Sequence, residues 1–274
     1  MYAEAVASMH PLGFAALGGL CATTAIALVT WGVSVVKRDV SIVDSVWSVL
    51  ILSAGIAYAA MLPASGPRTW VVALVGLWAL RLAFYVSWRN WGEPEDRRYQ
   101  AIRERNQPGF ALKSVYLVFV LQAVLAWIVS APILAALSSD APLNVLDLAA
   151  TAIVVFGLAF ESIADAQLAR FKGRPANHAR VLDTGLWRYT RHPNYFGECC
   201  VWWGFYLFAF AAGGWWAIVS PAVMTILLLK ISGVALLEKD IGERRPAYRD
   251  YIERTNAFIP GTPRASGTGK AAQR

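Results

Sequence analysis

Residues 189–216 read YTRHPNYFGECCVWWGFYLFAFAAGGWW, so that a polar stretch runs directly into an almost wholly apolar one. The polar part holds an arginine, a histidine, an asparagine and a glutamate at the boundary of a segment long enough to enter a membrane. Charged side chains at such a boundary are costly unless they bind a partner or a ligand. This stretch therefore predicts an apolar helix whose first turns carry a binding site.

The whole chain has the composition of a membrane protein. Of its 274 residues, 57% are hydrophobic and only 16% are charged, which is too apolar for an ordinary soluble domain. A helix needs about 20 mostly apolar residues to cross a hydrocarbon layer of about 30 Å. The stretches that meet this requirement are 14–36, 42–62, 69–88, 114–137, 144–164, 196–212 and 215–237. The sequence thus predicts an all-α integral membrane protein with seven transmembrane helices.

The basic residues indicate how these helices are oriented. When the loops are assigned alternately to the two sides, 22 of the 25 lysines and arginines fall on one side. Only Arg68 falls on the other side, while Arg81 and Lys230 lie within spans. Because cytoplasmic loops are enriched in lysine and arginine, the N-terminus is predicted outside and the C-terminus in the cytoplasm. The segment 14–36 lacks a basic start and a small-residue cleavage site, so we interpret it as a retained helix and not as a signal peptide.

No hydrophilic segment is large enough to fold alone, so residues 1–260 are predicted to form one seven-helix membrane domain. Residues 238–260 are charged and carry aromatic residues at a helical spacing, which predicts a helix lying along the cytoplasmic face. Residues 261–274 are small and polar, and they are predicted to be disordered.

The net charge of +7 does not require a nucleic acid partner. It is accounted for by the positive-inside arrangement and contact with anionic membrane lipid, or in part by an anionic ligand on the cytoplasmic face.

Cys21, Cys199 and Cys200 lack the spacing of metal ligands, so no metal is predicted. We interpret the adjacent Cys199 and Cys200 as small apolar residues.

Polar side chains inside the predicted spans are candidates for function. Asp44, at the start of the second span, either faces the helix dipole at the interface or lines an internal pocket. Arg81 and Tyr85 are four residues apart and share one helical face, although Arg81 also lies close enough to the cytoplasmic end to reach the interface. We interpret Gln122 as the source of a hydrogen bond to a neighbouring helix.

Two further groups of polar residues stand at predicted helix ends. Glu161 and Asp165 share a face at the end of the fifth span, where they form either a solvated helix end or a site for hydroxyl or amide groups. A helix N-terminus attracts anions, and Arg188 and Arg191 add positive charge to this one. An interfacial cap would account for these two arginines. It leaves His192, Asn194 and Glu198 unexplained. These three residues therefore predict a ligand site.

Several motifs together resemble one known family. They are DVSIVDSVWS, LRLAFY with RNWGEPEDRRYQ further on, DTGLWRYTRHPNYFGE followed by WWG, and LLEKDIGERRPAYRDYI near the C-terminus. The combination resembles the bacterial branch of the steroid 5α-reductase family over residues 35–260, most specifically between 183 and 204. The pattern R-H-P-x-Y alone is less specific, because isoprenylcysteine carboxyl methyltransferases and sterol reductases are similar there.

The resemblance implies an NADPH bound inside the helix bundle from the cytoplasmic side. It implies an NADPH-dependent oxidoreductase that reduces a carbon–carbon double bond conjugated to a ketone, as in 3-oxo-Δ4-steroids. The chain has no G-x-G-x-x-G motif, so scattered side chains would have to bind the cofactor. By position, the implied cofactor-binding residues are Arg81, Asp165, Lys172, Arg180, Tyr189, His192, Asn194, Tyr195, Glu198, Glu238, Arg245 and Tyr248. Asn194 and Glu198 would hold the nicotinamide or ribose end, and Lys172 and Arg180 the phosphates.

The chain departs from the family at the proton donor. The animal steroid enzymes polarise the substrate ketone with a glutamate–tyrosine pair, and Trp78 stands here in place of the tyrosine. A donor near the ketone oxygen matters because it stabilises the negative charge that develops there. Asp44, as a partial counterpart of the glutamate, and Tyr85 are therefore the candidate catalytic residues.

The resemblance also implies partners and a location. An apolar steroid or another lipid enone would enter from the bilayer, and the cofactor would arrive from the cytoplasm at a bacterial inner membrane. The chain is predicted to act as a monomer.

Two alternatives to the reductase stay open: a membrane methyltransferase of the isoprenylcysteine type that uses S-adenosylmethionine, and a non-enzymatic lipid-binding membrane protein. The abundant arginines favour NADPH over S-adenosylmethionine, which carries no phosphate.

Overall fold

The computed structural model describes residues 11–63, 66–177, 180–231, 233–238, 241 and 246–264. Within these ranges every regular element is a helix, and there is no strand. The chain divides into two compact units. Unit 1 consists of Met1–Asp147 and Tyr206–Ser220, and unit 2 of Leu148–Phe205 and Pro221–Arg274. The single membrane domain expected over 1–260 stays a prediction.

Five helices are long and apolar enough to cross a membrane: α1 (Pro11–Lys37), α2 (Ile42–Met61), α3 (Val71–Arg89), α5 (Phe110–Leu137) and α6 (Val145–Lys172). The other helices are α4 (Arg97–Arg105), α7 (Pro193–Ala211), α8 (Trp215–Ile231), α9 (Val234–Glu238) and α10 (Ala247–Arg254). Both α5 and α8 contain a π-helical turn. The number and length of the apolar helices indicate a multi-pass membrane protein.

Helix α1 packs within unit 1 through small side chains. Its buried residues are all alanine, glycine, threonine or serine, and they recur every three or four positions: Ala15, Gly19, Thr23, Ala27, Thr30 and Ser34. Small residues let helices approach closely in a membrane, where apolar side chains gain little by leaving lipid. At Gly19 the approach is so close that an added Cβ would overlap the ring of Tyr58 in α2.

A buried ion pair joins two segments of unit 1. Arg68, counted in the sequence as the lone basic residue of the outer loops, is fully buried. Its Nε and Nη2 donate to the two carboxylate oxygens of Asp147 at 2.7 and 2.9 Å, and its Nη1 donates to the carbonyl of Ala141 at 2.8 Å. Because Asp147 neutralises Arg68, this residue is a packed structural group and not a free loop charge.

In unit 2, helices α6 and α7 cross at glycines. A Cβ added to Gly157 would lie 2.6 Å from the carbonyl oxygen of Gly197, and one added to Gly197 would lie 2.6 Å from the backbone nitrogen of Glu161. The indole nitrogen of Trp187, in the loop before α7, donates to the carbonyl of Ala164 at 3.0 Å. Backbone contact between the two helices fixes which of their side chains face each other.

Several helix ends differ from those predicted. Helix α6 continues to Lys172, past the predicted end at 164, because Gly173 and Pro175 are the first helix-breaking residues that the chain meets there. Helix α7 begins at Pro193, whose ring suits the first position of a helix, and not at 196. Of the helix expected over 238–260, the described residues show Ala247–Arg254 as a helix and 255–260 as non-helical, while 239–240 and 242–245 lie outside the described residues.

The segment predicted to be disordered begins with two backbone hydrogen bonds. Gly261 N–H donates to the carbonyl of Tyr189 at 3.0 Å, and Arg264 N–H donates to the carbonyl of Arg254 at 2.9 Å. The remaining residues of that segment, 265–274, lie outside the described residues.

The close crossing of α6 and α7 predicts that Gly197→Ala destabilises the protein. The new methyl group would meet the backbone of α6, which cannot move away as a side chain can. We expect a loss of about 1–3 kcal/mol in the free energy of unfolding, typical of overpacking. The thermal unfolding midpoint in detergent measures it, with Gly32→Ala as the control because a Cβ there meets nothing within 4 Å. Equal midpoints for the two variants would contradict the crossing.

Candidate functional site

Polar side chains gather where α6 and α7 cross. Asn194, in the first turn of α7, donates from its side-chain nitrogen to Asp165 Oδ1 of α6 at 3.2 Å. Glu161, Asp165 and Glu198 expose only 2%, 3% and 8% of their surfaces. Burying carboxylates between apolar helices is costly, so such residues mark functional sites. We call Glu161, Asp165, Asn194 and Glu198 the crossing cluster.

The glycines of the two helices explain why these side chains are buried. Because Gly157 and Gly197 have no Cβ, the backbones of the two helices touch there. Residues one helical turn away on the same faces therefore lie between the helices. Glu161 and Asp165 are four residues apart on α6 and so lie on one face of it. Sequence analysis paired these carboxylates on one face but left open whether they were solvated, and the structure shows both buried.

Arg191, immediately before α7, is the centre of a second buried network. Its Nε and Nη2 donate to the two oxygens of Glu238 at 2.7 and 2.8 Å. Its Nη1 donates to the carbonyl of Ile252 at 3.1 Å and to the carbonyl of Thr255. All three guanidinium nitrogens are therefore bonded to protein groups. Sequence analysis did not place Arg191 among the site residues, because no local pattern links it to a carboxylate so far along the chain.

His192 and Glu238 extend this network. A ring nitrogen of His192, Nε2, lies 2.9 Å from Glu238 Oε1, and the ring stacks on Tyr195 with centroids 5.5 Å apart. Burial alone would raise the pKa of Glu238. The hydrogen bonds and charges of Arg191 and His192 outweigh burial and lower that pKa to about 2. Glu238 is therefore a carboxylate that the fold holds in its ionised form.

The other predicted cofactor residues of unit 2 lie in more open positions. Tyr189 is 44% exposed, and Tyr248 packs edge-on against the ring of Tyr251 at 5.2 Å. Lys172, the last residue of α6, and Arg180, in the following loop, are exposed. The predicted residue Arg245 lies outside the described residues.

In unit 1, Asp44 is bound by helix α4. Its Oδ2 accepts from Arg98 Nη2 at 2.7 Å and its Oδ1 accepts from the Tyr99 hydroxyl at 2.6 Å. Burial and the nearby Asp44 carboxylate raise the pKa of Tyr99, whose hydroxyl also hydrogen-bonds to Gln122 of α5. The charged motif RNWGEPEDRRYQ contains both partners of Asp44, and its density of charge is the signal from which sequence reasoning could have found them.

The second candidate catalytic residue, Tyr85, lies beside two cations. The guanidinium carbon of Arg81 is 5.5 Å from the centroid of the Tyr85 ring, and that of Arg89 is 5.8 Å from it. The shared helical face of Arg81 and Tyr85 is thus confirmed. Trp78, which stands in place of the family's tyrosine, is fully buried in α3.

The crossing cluster has the chemistry of a site for a polar molecule within an apolar protein. Its carboxylates accept hydrogen bonds, and the amide of Asn194 both donates and accepts them. A carboxamide, a ribose hydroxyl or an amine would be held by such a set. The Arg191 network is suited to holding segments of unit 2 together and not to binding a ligand, since its groups already bond to one another.

The fold defines the class of this chain, a helical multi-pass membrane protein. A family model described as "Protein of unknown function (DUF1295)" matches residues 30–255, and the chain belongs to this family. The chain is also 26% identical over 282 residues to the uncharacterized protein C594.04c of Schizosaccharomyces pombe, covering 88% of this chain and 78% of that protein. No solved structure matches the chain.

The low pKa of Glu238 predicts a dependence of stability on pH. The ordinary pKa of 4.5 is lowered to about 2, so ionised Glu238 stabilises the fold at pH values above about 4.5. We expect a contribution of about 3 kcal/mol, lost as the pH falls through the range between these two values. The Glu238→Gln variant lacks the contribution at every pH.

The measurement is the thermal midpoint of the wild type and of Glu238→Gln in detergent between pH 7 and pH 2.5. The difference in thermal midpoint between the wild type and Glu238→Gln should be largest near neutral pH and should shrink as the pH falls toward 2.5. Glu253→Gln, at an exposed position of α10, removes the same charge and serves as the control. A gap for Glu238→Gln that stays constant across the range would refute the assigned ion pair.

Proposed function

We propose that this chain is an NADPH-dependent membrane reductase of the carbon–carbon double bond of an α,β-unsaturated ketone, with a 3-oxo-Δ4-steroid as the first substrate to test. The observation that carries the proposal is the crossing cluster, in which Asn194 and Glu198 of the motif DTGLWRYTRHPNYFGE meet two buried carboxylates of α6. The family to which the chain belongs includes steroid 5α-reductase-like proteins, and this supports the proposal.

The residues of the crossing cluster fit the nicotinamide end of the cofactor. A carboxamide has both N–H donors and a carbonyl acceptor, and the carboxylates of Asp165 and Glu198 and the amide of Asn194 supply the complementary groups. Lys172 and Arg180, exposed beyond the end of α6, would bind its phosphates. When bound, NADPH supplies the hydride for the reduction.

The protein's own contribution is to orient the reactants, exclude water and deliver a proton. The apolar surroundings of the crossing cluster strengthen each hydrogen bond made there. In unit 1, Tyr85 is the proposed proton donor, because the guanidinium groups of Arg81 and Arg89 stabilise the negative charge that remains on its ring. The proposed role of Asp44 is exerted through the hydroxyl of Tyr99, from which it accepts a hydrogen bond.

The proposal includes a topology of seven spans. Helices α7 and α8 would be the sixth and seventh, after the five helices long enough by themselves. The N-terminus would lie outside and the C-terminus in the cytoplasm, since this arrangement puts the basic loops inside. A bacterial inner membrane with the cofactor site on its cytoplasmic side is the proposed location.

The reductase activity is tested with purified protein in detergent, by following NADPH oxidation with progesterone as acceptor. We expect turnover by the wild type and a loss of at least about 100-fold in kcat/KM for the Asn194→Ala, Glu198→Ala double variant. Glu253→Ala is the matched surface control. The conservative Glu198→Gln keeps the size of the side chain and removes its charge. If this variant stays folded but loses NADPH binding, the loss comes from the site and not from unfolding.

Each of the other outcomes selects a different function. Tight NADPH binding without turnover would keep the cofactor and exclude progesterone as a substrate. Binding of S-adenosylmethionine in place of NADPH would favour the methyltransferase. Binding of neither would leave the lipid-binding protein.

The proposed topology is tested by labelling single cysteines with a membrane-impermeant maleimide. In a variant without native cysteines, Asp140→Cys in the loop after α5 should be labelled on intact cells. Glu104→Cys in α4 should be labelled only after permeabilisation. Glu104 lies in the segment between α3 and α5, and the basic residues of this segment predict that it is cytoplasmic. Both side chains are exposed, so accessibility within the protein does not limit the reaction. The reverse pattern would invert the proposed orientation.

A further inference from the structure

Unit 2 contains a cleft of about 570 Å³ that is distinct from the crossing cluster. Its charged lining consists of Arg188, Arg254 and Arg264 together with one carboxylate, Asp183. Thr184 contributes a hydroxyl group to the wall. None of these five residues belongs to the predicted cofactor site, so the proposed function leaves the cleft without an assigned ligand.

The cleft holds more positive charge than its own carboxylate can neutralise. Asp183 Oδ2 accepts from Arg254 Nη2 at 2.6 Å, and Arg264 Nη2 donates to Asn256 Oδ1 at 3.3 Å. The side chain of Arg188 makes no hydrogen bond or ion pair with any other residue in the part of the chain that the structure describes. Two positive charges remain in excess. Like charges around one cleft repel, and an anion between them would remove that cost.

The backbone around the cleft is held by hydrogen bonds on both sides. Leu186 N–H donates to Gln167 Oε1 at 3.0 Å, which fixes the segment before Arg188 to α6. Arg264 N–H donates to the carbonyl of Arg254 at 2.9 Å, which fixes the C-terminal wall. Gly185 stands at the turn with φ +62°, and an added Cβ would meet Gln167, so only glycine fits there. A rigid wall places the cationic groups before any ligand arrives, which reduces the entropy lost on binding.

We propose that this arginine cleft binds a phosphate group. Guanidinium groups match phosphate oxygens in geometry and charge and bind them with paired hydrogen bonds. The volume is sufficient for a pyrophosphate or for a phospholipid headgroup. The ligand is thus either a soluble phosphate ester or the headgroup of an anionic lipid, and the proposal holds whichever reaction the chain performs.

The first experiment titrates the purified full-length protein in detergent with inorganic pyrophosphate, by calorimetry. The double variant Arg188→Gln, Arg264→Gln removes the excess charge and keeps Arg254, which is paired with Asp183. We expect saturable binding by the wild type and affinity at least about tenfold weaker for this variant, since two charge-assisted contacts are lost. Arg97→Gln, Arg105→Gln changes the net charge equally at exposed positions of α4 and should bind as the wild type does.

A second experiment distinguishes the two sources of phosphate. Pyrophosphate is competed with NADPH and with NADH, and the protein is also placed in nanodiscs of phosphatidylcholine with and without phosphatidylglycerol. Competition by NADPH alone would assign the cleft to a phosphorylated nucleotide. Protection of the wild type, but not of the Arg188, Arg264 variant, by phosphatidylglycerol in thermal unfolding would assign it to a lipid headgroup. The proposal is overturned if the two double variants behave alike in every assay, or if the wild type shows no saturable binding.

Discussion

A charge buried among apolar helices has to be paired, and in unit 2 the pairing is centred on Arg191. Taking a guanidinium out of water costs several kcal/mol, on the order of the whole stability of many domains, unless its donors are satisfied. Its side chain bonds to Glu238 at the end of α9 and to the carbonyls of Ile252 and Thr255, and its backbone N–H donates to the carbonyl of Asn256 at 2.9 Å. The C-terminal segments are thereby attached at the residue that precedes α7, and the start of α7, on which the crossing cluster depends, is fixed with them.

Two of the ion pairs of unit 1, Arg68–Asp147 and Arg98–Asp44, differ in how far they are buried. The Arg68 side chain is fully buried and its partner Asp147 nearly so, so neither can exchange its partner without leaving a charge unpaired. Arg98 is 38% exposed and Asp44 26% exposed, and Arg98 keeps a second carboxylate partner in Asp96, so this pair is more open to water than the first. A ligand could displace the second pair but not the first. Of the carboxylates in these two pairs, Asp44 is thus the one whose environment is compatible with a change of partner during a reaction.

The sequence predicted those parts of the structure that depend on local composition. The first three spans end within a few residues of their predicted limits, because apolar length and a charged boundary are both visible in the chain. No spacing rule links Asp44 or Arg191 to its partner, since each pair joins residues that are distant in sequence, and for Asp44 the charge density of RNWGEPEDRRYQ was the one available signal. Burial of Arg68 was missed for the same reason. The extension of α6 was missed because a change from apolar to charged residues alters the environment of a helix without ending it.

The Arg191 network also bears on which part of DTGLWRYTRHPNYFGE carries information about function. The three nitrogens of Arg191 are all bonded within the protein, and these bonds use four of its five N–H donors, so little of this side chain is left for a ligand. In this chain the arginine and histidine of R-H-P-x-Y therefore hold the C-terminal segments against the start of α7. Asn194, in the first turn of α7, bonds instead to Asp165 of α6, so the crossing cluster and not Arg191 is the part of this motif on which the proposed function rests.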